Sequence, residues 1–156
     1  MTIAASVMNT LTSAHISYEV VDHPKSFSSA ETAYVAHVPD DHIAKGVLVK
    51  DQSGYLLVVI PASHWVNFKR LKEELGRDLA LAEEAEIARL FMDCVPGAVP
   101  PLGDVYGVET LLDEALNSLA HVYFEAGDHE RLIKVETEQF KSLMLGVRHG
   151  HFSDAS

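Results

Sequence analysis

The chain has one cysteine, Cys94, so no intrachain disulfide can form and a reducing, cytoplasmic setting is expected. No apolar run is long enough to cross a membrane. The first six residues put no basic group ahead of an apolar stretch, so no signal peptide is expected. Basic residues are scarce. Twelve Lys plus Arg stand against 23 Asp plus Glu, a formal net charge of −11. Such a chain repels polyanions at long range, and nonspecific affinity for nucleic acid depends on Lys and Arg neutralising phosphates. Contact with nucleic acid would need a local basic patch, a partner, or only a short piece of the polymer. The chain also lacks a P-loop, a G-x-G-x-x-G run, a G-x-S-x-G elbow and a His-Glu-x-x-His pair. Nine histidines are present, but His149-Gly150-His151 in a polar tail is the nearest they come to ligand spacing. No metal and no cofactor are expected.

What is present suits one domain of 156 residues with a sizeable core. Ile3, Val7, Met8 and Leu11 recur at helical spacing behind Thr2 as N-cap. A short strand is predicted at Tyr18–Val21. Ser28-Ser29-Ala30-Glu31 has capping-box spacing and opens a helix to about Ala36. Lys45–Lys50 and Tyr55–Ile60 flank Asp51-Gln52-Ser53-Gly54, a strong hairpin signal. The second of these runs is apolar throughout and reads as buried on both faces. Asn67 caps a helix that Gly76 stops, and the single tryptophan, Trp65, reads as helix packing. Short strands are predicted at Leu79–Leu81 and Glu109–Leu112, and a helix at Glu83–Phe91. A second hairpin, His121–Glu125 with Arg131–Val135, precedes a helix from a Thr137 cap to about Leu145. Residues 146–156 read as a flexible tail. Two hairpins favour an α+β fold over a doubly wound parallel sheet.

Three places could carry chemistry. Pro96-Gly97-Ala98-Val99-Pro100-Pro101-Leu102-Gly103 cannot continue a helix or a central strand, so it forms a rigid loop. It is either a crossover or a wall whose backbone groups hold a small ligand or a water. Lys45 opens the first hairpin, as an edge cation with a snorkelling stem or as a cation facing a cleft. Gly127-Asp128-His129 is the turn of the second hairpin, where His129 is either a turn residue or a proton carrier. His23-Pro24 reads as a turn. Cys94 has no activating base in the sequence and reads as buried and inert.

In order and spacing these landmarks resemble the YbaK/prolyl-tRNA synthetase-associated domain family. The resemblance runs from His23-Pro24 through Ser29-Ala30-Glu31, Lys45, Gly97–Gly103 and Asp113 to Gly127-Asp128-His129, and spans about residues 23–140. It implies a curved, mixed, largely antiparallel sheet with helices around it. It also implies a trans-editing deacylase that hydrolyses the ester of a mischarged small amino acid on tRNA. Lys45, Gly97 and Pro101 then take the catalytic positions of the family. Ala98, Val99, Pro100, Asp113, His129, His23 and Ser29 line the substrate. The implied partner is the acceptor end of aminoacyl-tRNA, delivered by a synthetase or an elongation factor, with no membrane involved. Two features depart from the pattern. Pro100 stands where many members have a small hydroxyl residue, and it deletes an N–H donor. The other departure is the charge of −11. Together they suggest a second reading, a non-catalytic module that binds an aminoacyl or nucleotide end or regulates a synthetase.

Overall fold

Leu56-Leu57-Val58-Val59-Ile60 has no polar side chain to turn toward water, so the strand it forms must be covered on both sides. In the computed structural model, which describes residues 3–95 and 98–155, that strand lies inside a mixed eight-stranded sheet. The elements, in chain order, are α1 (Ala5–Ser13), β1 (Glu19–Asp22), α2 (Ser29–Ala36), β2 (Ile43–Asp51), β3 (Gly54–Pro61) and β4 (His64–Val66). They continue with α3 (Phe68–Leu75), β5 (Ala80–Leu81), α4 (Glu84–Leu90), β6 (Glu109–Asp113) and β7 (His121–Glu125). The last are β8 (Arg131–Glu136), α5 (Thr137–Leu143), β9 (Arg148–Gly150) and β10 (Ser153–Ala155).

The strand order is β1-β8-β7-β2-β3-β6-β9, with β5 added to β2. Both expected hairpins are present as antiparallel pairs, β2 with β3 and β7 with β8. Three pairings are parallel: β2 with β7, β3 with β6 and β6 with β9. The fold is therefore α+β with more antiparallel than parallel pairing, as expected.

Every residue from Leu56 to Ile60 is buried, and alternate side chains enter different clusters. Leu57 and Val59 join the main core with Val7 and Leu11 of α1, Phe140 of α5, and Val99 and Leu102 of the proline-glycine loop. Leu56, Val58 and Ile60 face Leu71 of α3, Leu111 and Phe152. A third cluster, on the same side of β2 as the second, sets Ala33 of α2 against Ile43, Ala62 and Leu132.

Local chemistry explains the helix starts. The Ser28 hydroxyl accepts from Glu31 N at 3.1 Å, and Asn67 Oδ1 accepts from Arg70 N at 3.0 Å. Three expectations are corrected. Thr2 lies outside the described residues, and α1 instead follows Ala4, whose N–H donates to Ala126 O at 2.8 Å. Thr137 is the first residue of α5 rather than its cap, and its hydroxyl donates to Leu119 O. Trp65 packs no helix. It stands on β4 and is 69% exposed.

The segment expected to be a tail forms β9 and β10 instead, and Phe152 between them is fully buried. Asp113 accounts for this. It caps the turn after β6 by accepting from Ala115 N at 2.9 Å. Its other oxygen accepts from Phe152 N at 2.9 Å and Ser153 Oγ at 2.7 Å. One buried carboxylate thus holds the C-terminal segment against the sheet. Asp113→Ala leaves Phe152 N without its acceptor, at a cost of about 1–3 kcal/mol. Denaturant unfolding is expected to show that loss, and hydrogen exchange is expected to quicken over residues 148–155 ahead of the sheet. Uniform exchange would contradict this role.

Candidate functional site

The parallel register of β2 and β7 pairs Ile43 with Tyr123 and Ala44 with Phe124. One residue further along, Lys45 lies beside Glu125. Ala44 and Phe124 face the main core, so Lys45 and Glu125 face the other side of the sheet. That face of β2 carries Ile43 in the cluster under α2 and Val49 in the cluster under α3, with Lys45 between them. Lys45 therefore stands in the gap between α2 and α3.

The Lys45 ammonium is half-buried. It donates to Ala62 O at 3.3 Å and sits 5.2 Å from the centroid of the Trp65 ring. Among the described residues no carboxylate lies within ion-pair distance of it. Burial lowers the Lys45 pKa from the ordinary lysine value, while the charge of Asp40 acts the other way. The ammonium is thus held by a carbonyl and a ring face rather than by a carboxylate.

Beside it is a buried polar cluster. His129 is 1% exposed, and Glu125, at the end of β7, is 3% exposed. His129 Nδ1 is 3.5 Å from a Glu125 carboxylate oxygen, close enough for charge attraction but without hydrogen-bond geometry. His129 has φ of +58°, and its carbonyl accepts from Ser26 N at 3.2 Å and from Ser26 Oγ. The Ser26 hydroxyl also meets Thr32 Oγ1 at 2.5 Å. His23 N donates to Glu130 O at 2.9 Å, and His23 Nδ1 lies 2.8 Å from Pro24 O. A carbonyl can only accept, so Nδ1 carries a proton, and Nε2 is the free nitrogen of the ring. That atom, both His129 nitrogens and both Glu125 oxygens find no hydrogen-bond partner among the described residues. Buried polar atoms left this way are rare and costly, and they concentrate where function uses them.

The sequence-predicted site residues fall into three groups. His129 and His23 belong to this cluster, and Lys45 stands one position along β2 from the Ala44–Phe124 pair, on the sheet face of Glu125. Gly97 lies outside the described residues. Ala98, Val99, Pro100 and Pro101 are buried, and Ala98 N already donates to Val95 O at 3.0 Å. The side chains of Val99 and Leu102 belong to the main core, on the far face from Lys45. Just before the loop, Val95 N donates to Gly127 O at 2.7 Å, in the turn that leads to His129. Asp113 has its hydrogen bonds committed to the C-terminal segment. Ser29 is half-buried at the start of α2, and the hydroxyl that reaches the cluster is Ser26 instead. Sequence reasoning missed Ser26, Thr32, Glu125 and Trp65. For Glu125 the signal was a lone carboxylate closing the apolar run Val122-Tyr123-Phe124.

Two glycines explain the loop's path. A Cβ on Gly103 would lie 2.6 Å from Val108 O, which is backbone and cannot give way. Gly127 has φ of +103°, a conformation open to glycine, and a Cβ there would meet Ala4 Cβ at 2.8 Å.

The aminoacyl-tRNA editing domain family matches residues 23–143, which include every part of this cluster. The chain belongs to the aminoacyl-tRNA editing domain family. It is 23% identical over 158 residues to the prolyl-tRNA editing protein ProX of Acetoanaerobium sticklandii, covering 90% of this chain and 96% of that protein. Among solved structures, the hypothetical protein APE2540 superposes with a TM-score of 0.84 at 23% identity, over 96% of this chain and 99% of that one. A structure described as a candidate trans-editing enzyme for prolyl-tRNA synthetase gives 0.81 at 20% identity, over 99% and 100%. At these identities the two structures show that the fold is shared.

Cys94 is not the nucleophile of this editing domain. Its thiol lies 3.3 Å from Tyr106 Oη and 3.5 Å from Asp93 Oδ1, and burial pushes its pKa up to about 12. The thiolate fraction is then negligible at neutral pH. Native protein is expected to resist alkylation by iodoacetamide at pH 8, with labelling only after unfolding. Rapid labelling of the folded chain would show an activated thiol.

Proposed function

We propose that this editing domain is a trans-acting deacylase that hydrolyses the ester between a mischarged small amino acid and the 3′ end of tRNA, of the prolyl-tRNA editing type. The observation that carries this reading is the Lys45 ammonium, half-buried, bonded to a carbonyl and without a carboxylate at ion-pair distance among the described residues, on the sheet face that also carries the buried Glu125. Water adds to the ester carbonyl carbon and an oxyanion forms. The bond to the ribose oxygen then breaks, and that oxygen takes up a proton to become the free terminal hydroxyl. The amino acid leaves as its carboxylate.

In this scheme Lys45 stabilises the negative charge of the oxyanion or of the terminal phosphate, which fixed charges do well in a partly dry site. The resemblance gives the backbone of Gly97–Pro101 the task of positioning the reacting end and the water, with no protein nucleophile needed, although Val99 and Leu102 pack into the core on the other face of the sheet from Lys45. His129, held rigidly by its own backbone bonds, and His23 form the floor of the amino-acid pocket. A protein this acidic touches only the acceptor end, and a synthetase or an elongation factor delivers it. The occupied Ala98 N–H and the missing one at Pro100 favour the second reading, recognition without hydrolysis, and one assay separates the two.

Wild-type protein is expected to release amino acid from a panel of mischarged tRNAs faster than buffer does. Lys45→Met keeps the apolar stem and removes the charge. It is expected to lower kcat/KM by about 10²–10³-fold, the usual cost of one oxyanion donor. Burial disfavours the ammonium, so the same variant is expected to keep or raise Tm. Equal activity in wild type, variant and buffer would rule out hydrolysis.

A further inference from the structure

Trp65 is the chain's only tryptophan, and it is 69% exposed on a strand of three residues. A tryptophan in water forgoes a large burial gain, so its position calls for a reason. The strand beneath it is firmly held. Trp65 pairs in register with Asp154, His64 Nδ1 lies 2.8 Å from Ser153 Oγ, and Asn67 N donates to Phe152 O at 2.8 Å. The ring is therefore a fixed platform. The Lys45 ammonium lies over it at 5.2 Å, and most of the rest of the residue is open.

The helix that follows Trp65, α3, carries three cations in its first five residues, unusual in a protein this acidic. Six of the twelve Lys and Arg residues have a carboxylate within 4.0 Å: Lys50, Arg77, Arg131, Lys134, Lys141 and Arg148. Lys69, Arg70 and Lys72 on α3 have none among the described residues, and all three are exposed. They begin four residues after Trp65, with Leu71 between them facing the core. This is the local basic patch that an acidic protein needs in order to hold one short stretch of polyanion. The acids of this region are Asp154, which accepts from the Asn67 side-chain amide at 2.6 Å, Asp40, whose charge acts on Lys45, and Glu73 and Glu74 in the second half of α3.

We propose that Trp65 stacks the terminal base of the tRNA acceptor strand while Lys69 and Arg70 contact its phosphates. The inference rests on the deacylase reading for its ligand. A single-stranded end is recognised by an aromatic face that accepts a base and by cations that follow the backbone. The Lys45 ammonium covers one face of the ring, so the base stacks on the other and its ribose reaches past the ring edge toward Lys45. Trp65 is thus a positioning residue: it places the ester and takes no part in bond making.

The single tryptophan makes the test direct. The full-length protein is titrated with an RNA acceptor-stem minihelix ending in single-stranded CCA, and with the same RNA lacking its terminal base. Saturable quenching of fluorescence by the first and little by the second is expected. In deacylation, Trp65→Ala is expected to raise KM roughly ten- to hundredfold with kcat nearly unchanged, the usual scale for one stacked base. Trp65→Phe restores most of the affinity. Lys69→Ala with Arg70→Ala is expected to flatten the dependence of log K on log salt by about 0.7 for each phosphate that the variant no longer neutralises. Unchanged fluorescence at RNA concentrations that saturate turnover would overturn the platform and leave the hydrolase intact, as would an unchanged KM in Trp65→Ala. Specific quenching without hydrolysis of any mischarged tRNA would support the platform and remove the hydrolase.

Discussion

Five apolar residues in a row, Leu56 to Ile60, leave β3 without a face for water, and the molecule is arranged around covering both sides. One side is covered by α1, α5 and the apolar side chains of the proline-glycine loop, and the other by α3, Phe152 and Leu111. A second neighbour follows from this, because a strand buried on both faces needs hydrogen-bond partners at both edges. β2 supplies one edge through a tight hairpin, and β6 supplies the other after a long crossover. The same demand draws the C-terminus in. Phe152 completes the cover over β3, and the Asp113 carboxylate holds it there.

The site is a by-product of that cover. Helices α2 and α3 each protect part of one sheet face, and the strip of β2 between them is left for Lys45. A lysine there cannot reach bulk water freely, and its acceptors are a carbonyl and an aromatic ring rather than a carboxylate. The adjacent end of β7 brings in Glu125 and the left-handed turn at His129. Stability alone would not keep five buried polar atoms unpaired beside a half-desolvated cation. The cost of the site is carried by the apolar packing around it, as is common where function and stability diverge.

Local signals were readable in the sequence wherever they acted over a few residues. The Ser28 and Asn67 caps, both hairpins and the glycine-bounded loop all depend on neighbours in the chain. So did the double burial of β3, which follows from composition alone. What could not be read depends on contacts far apart in sequence. The Asp113 side chain reaches Phe152 across 39 positions, so a polar segment read as a tail becomes two strands. Ser26 reaches the carbonyl of His129 across 103. Trp65 was misread for a related reason. It precedes a capped helix, where aromatic residues usually pack, but the three-residue β4 pairs only with β10 and turns the ring outward.

Net charge and local charge give opposite answers here. A formal charge of −11 argues against any polyanion as partner, and at distances beyond the Debye length of about 8 Å it acts as a smeared repulsion. Within that length only nearby groups count. These are Lys45 over the Trp65 ring and Lys69, Arg70 and Lys72 on the helix that follows, set against Asp154, which Asn67 holds by a hydrogen bond, and Asp40, which acts on Lys45. Such a surface would hold a few terminal phosphates and reject the body of a long nucleic acid. That selectivity suits an enzyme acting on the last nucleotide of a strand. The departure in net charge from what a tRNA-binding protein should carry thus becomes a limit on how much of the tRNA this one touches.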